Sequence, residues 1–69
     1  MPKVSGQDAL KVLQKKGFYI RKGKGDHIVI SKLDVPPFVV PLHRELKTGT
    51  LNFIIKRSQD FKEKFYELL

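Results

Sequence analysis

The sequence predicts an α+β domain that runs α-β-β-β-α, with a three-stranded antiparallel sheet and a short extra helix at the C-terminal end. Three observations support this prediction. Apolar residues recur at helical spacing over residues 9–13, alternate with polar residues between 18 and 41, and return to helical spacing after 48. The 69 residues suffice for a single domain, 1–69, in which one face of the sheet packs on helices and the other stays open.

The first helix has a clear start and a clear end in the sequence. Ser5 can cap the amide of Asp8, whose carboxylate favours the positive end of a helix. Val4 and Ala9 occupy the two positions of a hydrophobic staple, and Gly17 is typical of the residue that follows a helix. The apolar stripe consists of Ala9, Leu10, Val12 and Leu13. We therefore expect a helix from residue 6 to about residue 16.

Three strands are expected over residues 18–22, 26–31 and 38–40. Gly23-Lys24-Gly25 supplies the first turn, and residues 32–37 form the second connection, where Pro36-Pro37 should exclude regular pairing. Pro41 is tolerable only at an edge or at a strand end. Short connections between successive strands predict an antiparallel meander.

Two helices should follow. Thr48 is a plausible N-cap for a helix that ends near Ser58-Gln59-Asp60, and residues 61–69 suggest a terminal helix. Phe53 falls off the apolar stripe of its helix, so it either packs against the C-terminal helix or anchors a partner. The two expected stripes are Leu51, Ile54, Ile55 and Ser58, and Phe61, Phe65 and Leu68.

The charge is strongly positive and unevenly distributed. The net charge is +7 with a pI near 9.9, and residues 1–32 hold eight Lys and Arg against two acidic residues. This balance suits a polyanion, for which nucleic acid is the commonest intracellular choice, although lysines can also simply keep a small domain soluble. The chain lacks cysteine, a membrane-spanning apolar run and a signal-peptide pattern, so we expect a soluble cytoplasmic domain.

The open face of the predicted sheet carries a candidate site. Strand alternation places Phe18, Ile20, Ile28 and Ile30 towards the helices, and Tyr19, Arg21 and His27 on the open face. An imidazole can exchange a proton near neutral pH, cations bind phosphate, and an aromatic ring stacks on a base. These residue types favour RNA, with His27 as acid or base. The predicted RNA-binding residues are Arg21, Lys22, Lys24, Tyr19, Lys11 and Lys15.

Other chemistries find less support. His27 can also be an ordinary exposed histidine, and His43 is a candidate partner that the sequence does not place near it. Two histidines and scattered carboxylates have no metal-ligand spacing, so we expect no metal site. Gly23-Lys24-Gly25 lacks the spacing of a phosphate-binding loop, and no serine lies in a nucleophile elbow.

The order and spacing of several short fragments resemble the HicA-type toxins of bacterial and archaeal toxin–antitoxin pairs. The matching fragments, spread over nearly the whole chain, are Ser5-Gly6, Gly17-Phe18, Arg21, Gly25 with His27, Val40-Pro41 with His43, Leu46-Lys47-x-Gly49-Thr50-Leu51 with Ile54, and Phe65-x-x-Leu68-Leu69. The resemblance implies a double-stranded-RNA-binding-domain-like fold and a ribonuclease that cleaves mRNA and arrests translation. It also implies inhibition by a HicB-type antitoxin, catalysis by His27, which matches the family's Gly-Ser-His histidine, and no cofactor.

The chain departs from this family pattern in three places. Asp26 replaces the usual serine before the histidine, where a carboxylate can orient His27 or repel a phosphate. Residues 32–37 replace a shorter glycine-containing hairpin, which alters the sheet edge. Phe53 stands where a polar or basic residue is more usual.

Three functions remain open at the level of sequence. The first is an RNA endonuclease toxin that uses His27. The second is a non-catalytic RNA-binding module of the same fold, although only Lys47 provides a cation near the start of the second long helix. The third is a protein-interaction domain whose basic face meets an acidic partner, such as an antitoxin.

Overall fold

The helices cover one face of a three-stranded antiparallel sheet in the computed structural model, which describes residues 3–59 and 62–69. The sheet order is β1-β2-β3, a simple meander. The elements are α1 Gly6–Lys15, β1 Tyr19–Lys24, β2 His27–Lys32, β3 Val35–Pro41, α2 Thr48–Arg57 and α3 Lys62–Glu67. This order confirms the predicted α+β class, the α-β-β-β-α layout and the short extra helix. No helix in the described ranges is long and apolar enough to span a membrane.

The signals at both ends of α1 act as predicted. The Ser5 hydroxyl accepts a hydrogen bond from the amide of Asp8 at 3.0 Å, and the Asp8 carboxylate accepts one from the Ser5 amide at 3.2 Å. This reciprocal capping box satisfies two backbone donors that the helix itself cannot pair. Val4 and Ala9 are both buried, and Gly17 takes φ +95°, the left-handed conformation that ends a helix.

The β1–β2 hairpin is tighter than predicted. Lys24 is the last residue of β1 and His27 is the first of β2, so the turn contains only Gly25 and Asp26. Gly25 has φ +59°, as a two-residue hairpin turn with glycine in first position requires. The prediction that Gly23 and Lys24 belong to the turn is therefore wrong. Both residues are part of the ladder with β2.

The third strand is longer than predicted. Pro36 and Pro37 lie within β3, so the expectation that they exclude regular pairing is wrong. Prolines are tolerated there because β3 is an edge strand, with a neighbour on one side only. The pairing with β2 is irregular between Ile30 and Lys32, close to the proline pair.

The core lies between the sheet and the helices. The α2 stripe of Leu51, Ile54, Ile55 and Ser58 is buried as predicted, but α2 begins at Thr48, with Lys47 as N-cap and no side-chain cap. The prediction of Thr48 as N-cap is wrong by one residue. Phe65 of α3 is fully buried, whereas predicted roles of Asp60 and Phe61 lie outside the described residues. The buried apolar residues are Val4, Ala9, Val12, Leu13, Phe18, Ile30, Phe38, Val40, Leu46, Leu51, Ile54, Ile55 and Phe65.

Candidate functional site

His27 lies at the start of the central strand, on the face of the sheet opposite the helices. Its Cα is paired with Lys24 on one side and with Pro41 on the other, and its side chain is exposed. Directly opposite residues of an antiparallel pair project to the same face, with their Cβ atoms about 4.5–5.5 Å apart. Lys24 and His27 are therefore immediate neighbours on the open face.

A bulge in β1 brings a second lysine onto this face. Ile20 pairs with Ile30, but Lys22 pairs with Val29, so β1 contains one extra residue, Arg21, between them. Strict alternation would have put Lys22 on the helix side. The extra residue resets the alternation and places Lys22 opposite Val29, diagonal to His27. Arg21 shares with Lys22 the position facing Val29 and is exposed.

Tyr19 belongs to the same face but lies at its far end. It pairs with Ser31, four residues along β2 from His27, which corresponds to roughly 13 Å at the rise of a strand. The ring is about half exposed. It is too far to touch a group that reacts at His27, although a base further along the same RNA strand could stack on it.

Lys11 and Lys15 lie in the other layer of the molecule. Helix α1 buries Ala9, Val12 and Leu13 against the sheet, and both lysines are exposed on its outer side. Lys15 also donates a hydrogen bond of 3.0 Å to the carbonyl of Leu68. The structure therefore does not bring Lys11 or Lys15 together with His27, and their role in RNA binding stays a prediction.

His43 occupies a separate hollow beside the start of α1. Its carbonyl accepts a hydrogen bond of 2.8 Å from the amide of Gly6, and its side chain is exposed. The hollow measures about 240 Å³ and is lined by Ser5, Gln7, Leu42, His43 and Arg44. His27 does not line it. A role for His43 beside His27 stays a prediction.

The approach of Gly6 to β3 is a structural feature that the sequence reasoning missed. A Cβ at Gly6 would collide with the carbonyl oxygen of Pro41 and lie 2.6 Å from the Cα of Leu42. The start of α1 therefore presses against the end of β3, next to the residue that pairs with His27. A glycine directly after the helix cap was the available signal for this close approach.

The cations are not confined to the open face. Lys32 extends beneath Gly17 and places its ammonium 5.5 Å from the centre of the Phe18 ring. Partial burial, followed by the charges of Lys64 and Lys32, lowers the pKa of Lys16 below its ordinary value of 10.5. Lys16, directly after α1, thus lies near Lys32 of β2 and Lys64 of α3, at the end of the sheet remote from His27. No group of three metal-ligating side chains occurs among residues 3–59 and 62–69.

The chain was also compared with known proteins. No curated protein matches it. The model of one protein family, described as the HicA toxin of bacterial toxin–antitoxin systems, matches residues 6–59. These residues run from the first residue of α1 to the end of α2 and include the whole sheet. Because the match extends over well more than half of the chain, this protein belongs to the HicA family of toxins from bacterial toxin–antitoxin systems.

Proposed function

We propose that this toxin is an RNA endonuclease that cleaves mRNA and thereby inhibits translation in the cytoplasm. The observation that carries the proposal is the pairing of Lys24 with His27 on the open face, in a member of the HicA family. The imidazole of His27, which can exchange a proton, lies beside the cationic side chain of Lys24. The exposed sheet surface around both residues is accessible to an RNA strand. The toxin would be held inactive by its paired HicB-type antitoxin.

The proposed reaction uses the nucleophile that RNA itself carries. The 2′-hydroxyl attacks the adjacent phosphorus, the 2′-O–P bond forms, and the bond from phosphorus to the 5′-oxygen of the next nucleotide breaks. His27 either removes the proton of the 2′-hydroxyl or donates a proton to the departing 5′-oxygen, a contribution of roughly 10²–10⁴-fold in rate. Solvent completes the other proton transfer. The products are a 2′,3′-cyclic phosphate and a 5′-hydroxyl.

The neighbouring lysines supply the second component of the mechanism. Negative charge accumulates on the phosphate oxygens as the 2′-oxygen attacks, and a cation aimed at those oxygens stabilises the transition state. Lys24, directly opposite His27, is the proposed partner of the scissile phosphate. Lys22 and Arg21 would hold the adjoining backbone phosphates, and Tyr19 would stack a base further along. The reaction as written uses no metal ion and no cofactor.

The experiment that tests the proposal compares the wild-type chain with His27→Ala. Each is expressed from a controlled promoter, and cell growth and the integrity of total mRNA are followed over time. The purified proteins are then incubated with RNA in the presence of EDTA, and the product ends are identified. We expect growth arrest and cyclic phosphate ends from the wild type, and neither from His27→Ala.

His43→Ala is assayed in parallel, because it removes the other histidine, from a hollow that His27 does not line. Cleavage at the wild-type rate would leave His27 as the one histidine in the reaction, and a loss of cleavage would give His43 a part in it. Thermal unfolding and RNA binding of His27→Ala establish that the variant is folded and still binds its substrate. Cleavage by folded His27→Ala at the wild-type rate would refute the role of His27. Retained RNA binding without cleavage by the wild type would instead favour the non-catalytic RNA-binding module.

A further inference from the structure

A second surface feature lies away from His27, between α2 and the edge strand β3. It is a hollow of about 470 Å³, lined by Pro36, Phe53, Lys56, Arg57 and Gln59. The Phe53 side chain is 51% exposed, unusually open for a phenylalanine in so small a domain. Phe53 therefore lines a surface hollow and does not complete the core, so the expectation that it packs against the C-terminal helix finds no support.

Arg57 holds this hollow in shape. Its guanidinium carbon lies 6.0 Å from the centre of the Phe38 ring and 5.8 Å from that of Phe53, within the range of a cation–π contact. Its Nη2 atom donates a hydrogen bond of 3.4 Å to the carbonyl of Pro37. A single side chain thus links the core, the edge strand and the exposed ring. The hollow is consequently formed before any partner binds, which lowers the entropic cost of docking.

The neighbouring edge of β3 is poorly suited to the addition of a strand. Three of its seven residues are prolines, which have no N–H to donate. The Leu42 amide donates to the carbonyl of Asp26 at 2.6 Å, so the adjacent pair, His27 with Pro41, is a non-hydrogen-bonded pair whose backbone groups point outwards. The carbonyl oxygen of Pro41 lies against Gly6 at the start of α1, so this end of the edge is covered. Prolines thus leave few backbone donors for an added strand at this edge, and we expect a partner here to bind mainly through side chains.

The charge of the hollow defines the partner. Among the described residues that line it, the ionisable ones are the cations Lys56 and Arg57, and the apolar surface comes from Pro36 and Phe53. An apolar side chain flanked by carboxylates complements both features. RNA is the weaker fit, because the Arg57 guanidinium lies over the Phe53 ring and occupies a surface on which a base would stack.

We propose that this hollow docks the paired antitoxin, which inserts an apolar side chain against Phe53 and places carboxylates beside Lys56 and Arg57. The proposal rests on membership of a toxin–antitoxin family and on the geometry of the hollow. It does not depend on the nuclease chemistry at His27. Through this contact the antitoxin would hold the toxin at a surface other than the predicted RNA face.

The test measures the affinity of the purified paired HicB-type antitoxin for a set of toxin variants by isothermal titration calorimetry. Phe53→Asp should weaken binding by about 30-fold, the loss of one interface anchor, and Lys56→Glu by about fivefold. Leu33→Ser is the matched control, because Leu33 is apolar and 84% exposed but does not line the hollow. The affinity of the antitoxin for this variant should stay within about twofold of that for the wild type.

The remaining measurements separate the possible results. If Phe53→Asp does not fold, as judged by thermal unfolding, the exposed Lys56→Glu variant decides alone. Affinities within twofold of wild type for the folded variants overturn the proposal. A loss of RNA binding at unchanged antitoxin affinity also overturns it and assigns the hollow to RNA. RNA cleavage is assayed separately, so an inactive wild type would refute the nuclease while leaving the affinity series valid.

Discussion

Lys24 and His27 face each other across a two-residue turn, as the closing pair of the β1–β2 hairpin. Gly25 provides the left-handed conformation at the first turn position, and this geometry brings a cation and an imidazole onto one surface. Two chemically distinct groups thus become neighbours through local structure alone, since only two residues separate them in sequence.

The first prediction concerns the charge of Lys24. Lys24→Gln keeps the length and polarity of the side chain but removes the cation opposite His27, so the cleavage rate should fall roughly tenfold, equivalent to about 1.4 kcal/mol of transition-state stabilisation. Single-turnover cleavage of a short RNA measures this change. Lys62→Gln is the control, since the exposed Lys62 lies in α3 and has no predicted role in RNA binding, and it should alter the rate less than about twofold. Equal losses for both variants would contradict the role of Lys24.

The second prediction concerns the residue at which this chain leaves the family pattern. The Asp26 carboxylate is exposed in the turn beside Lys24 and His27, and no hydrogen bond joins it to His27 among the described contacts. If it repels phosphate, Asp26→Ser should raise RNA affinity about threefold at low salt, and 0.5 M NaCl should abolish the gain by screening.

Fluorescence anisotropy with a labelled single-stranded RNA measures that affinity, with His27→Ala present in both proteins to prevent cleavage. The alternative reading, in which the carboxylate orients His27, makes a different prediction. Asp26→Ser would then lower the cleavage rate in an otherwise unmodified chain and leave affinity unchanged.

Much of the fold could be predicted because its determinants are local. The capping residues Ser5 and Asp8, the stop at Gly17 and the alternation of Ile28 and Ile30 all act within a few residues, and each has the structure expected of it. The central strand carrying His27 followed from the same rules. Local pattern was therefore enough to predict that His27 lies near the start of the second strand of a three-stranded meander, within one residue of the observed start of β2.

The finer arrangement of the site depends on pairing between strands, which the pattern of one strand does not specify. The bulge at Arg21 changes the face of Lys22, and the tight turn moves Lys24 from loop to ladder. Both depend on register between β1 and β2. Likewise, the hollow around Phe53 depends on Arg57, which contacts both the Phe53 ring and the carbonyl of Pro37 in β3, residues that only the folded chain brings together. The spacing of Lys24 and His27 around Gly-Asp was the one local signal of the tight hairpin.

The third prediction concerns the contact between α1 and β3. A methyl group at Gly6 would meet the carbonyl of Pro41, which is backbone and cannot rotate away. Gly6→Ala should therefore lower the free energy of unfolding by about 1–3 kcal/mol, the range for overpacking a tight contact. Gly49→Ala provides the opposite control. Gly49 lies in α2 with open space around it, so alanine there should raise stability by about 0.5 kcal/mol. Urea unfolding measures both changes, and a neutral Gly6→Ala would contradict the described packing.

The last prediction concerns the lysines at the other end of the sheet. Burial, and then the charges of Lys64 and Lys32, lower the pKa of Lys16. The unfolded chain therefore binds more protons than the folded one between the lowered pKa and 10.5, and the Lys16 contribution to stability should rise as pH increases through that window.

Lys64→Gln removes one repelling charge, so it should raise the pKa of Lys16 part of the way towards 10.5. Side-chain carbon NMR titration of Lys16 measures this shift. Lys62→Gln, in the same helix but not a cause of the shift, should leave the titration unchanged, and equal effects of the two variants would show that total charge and not this cluster perturbs Lys16.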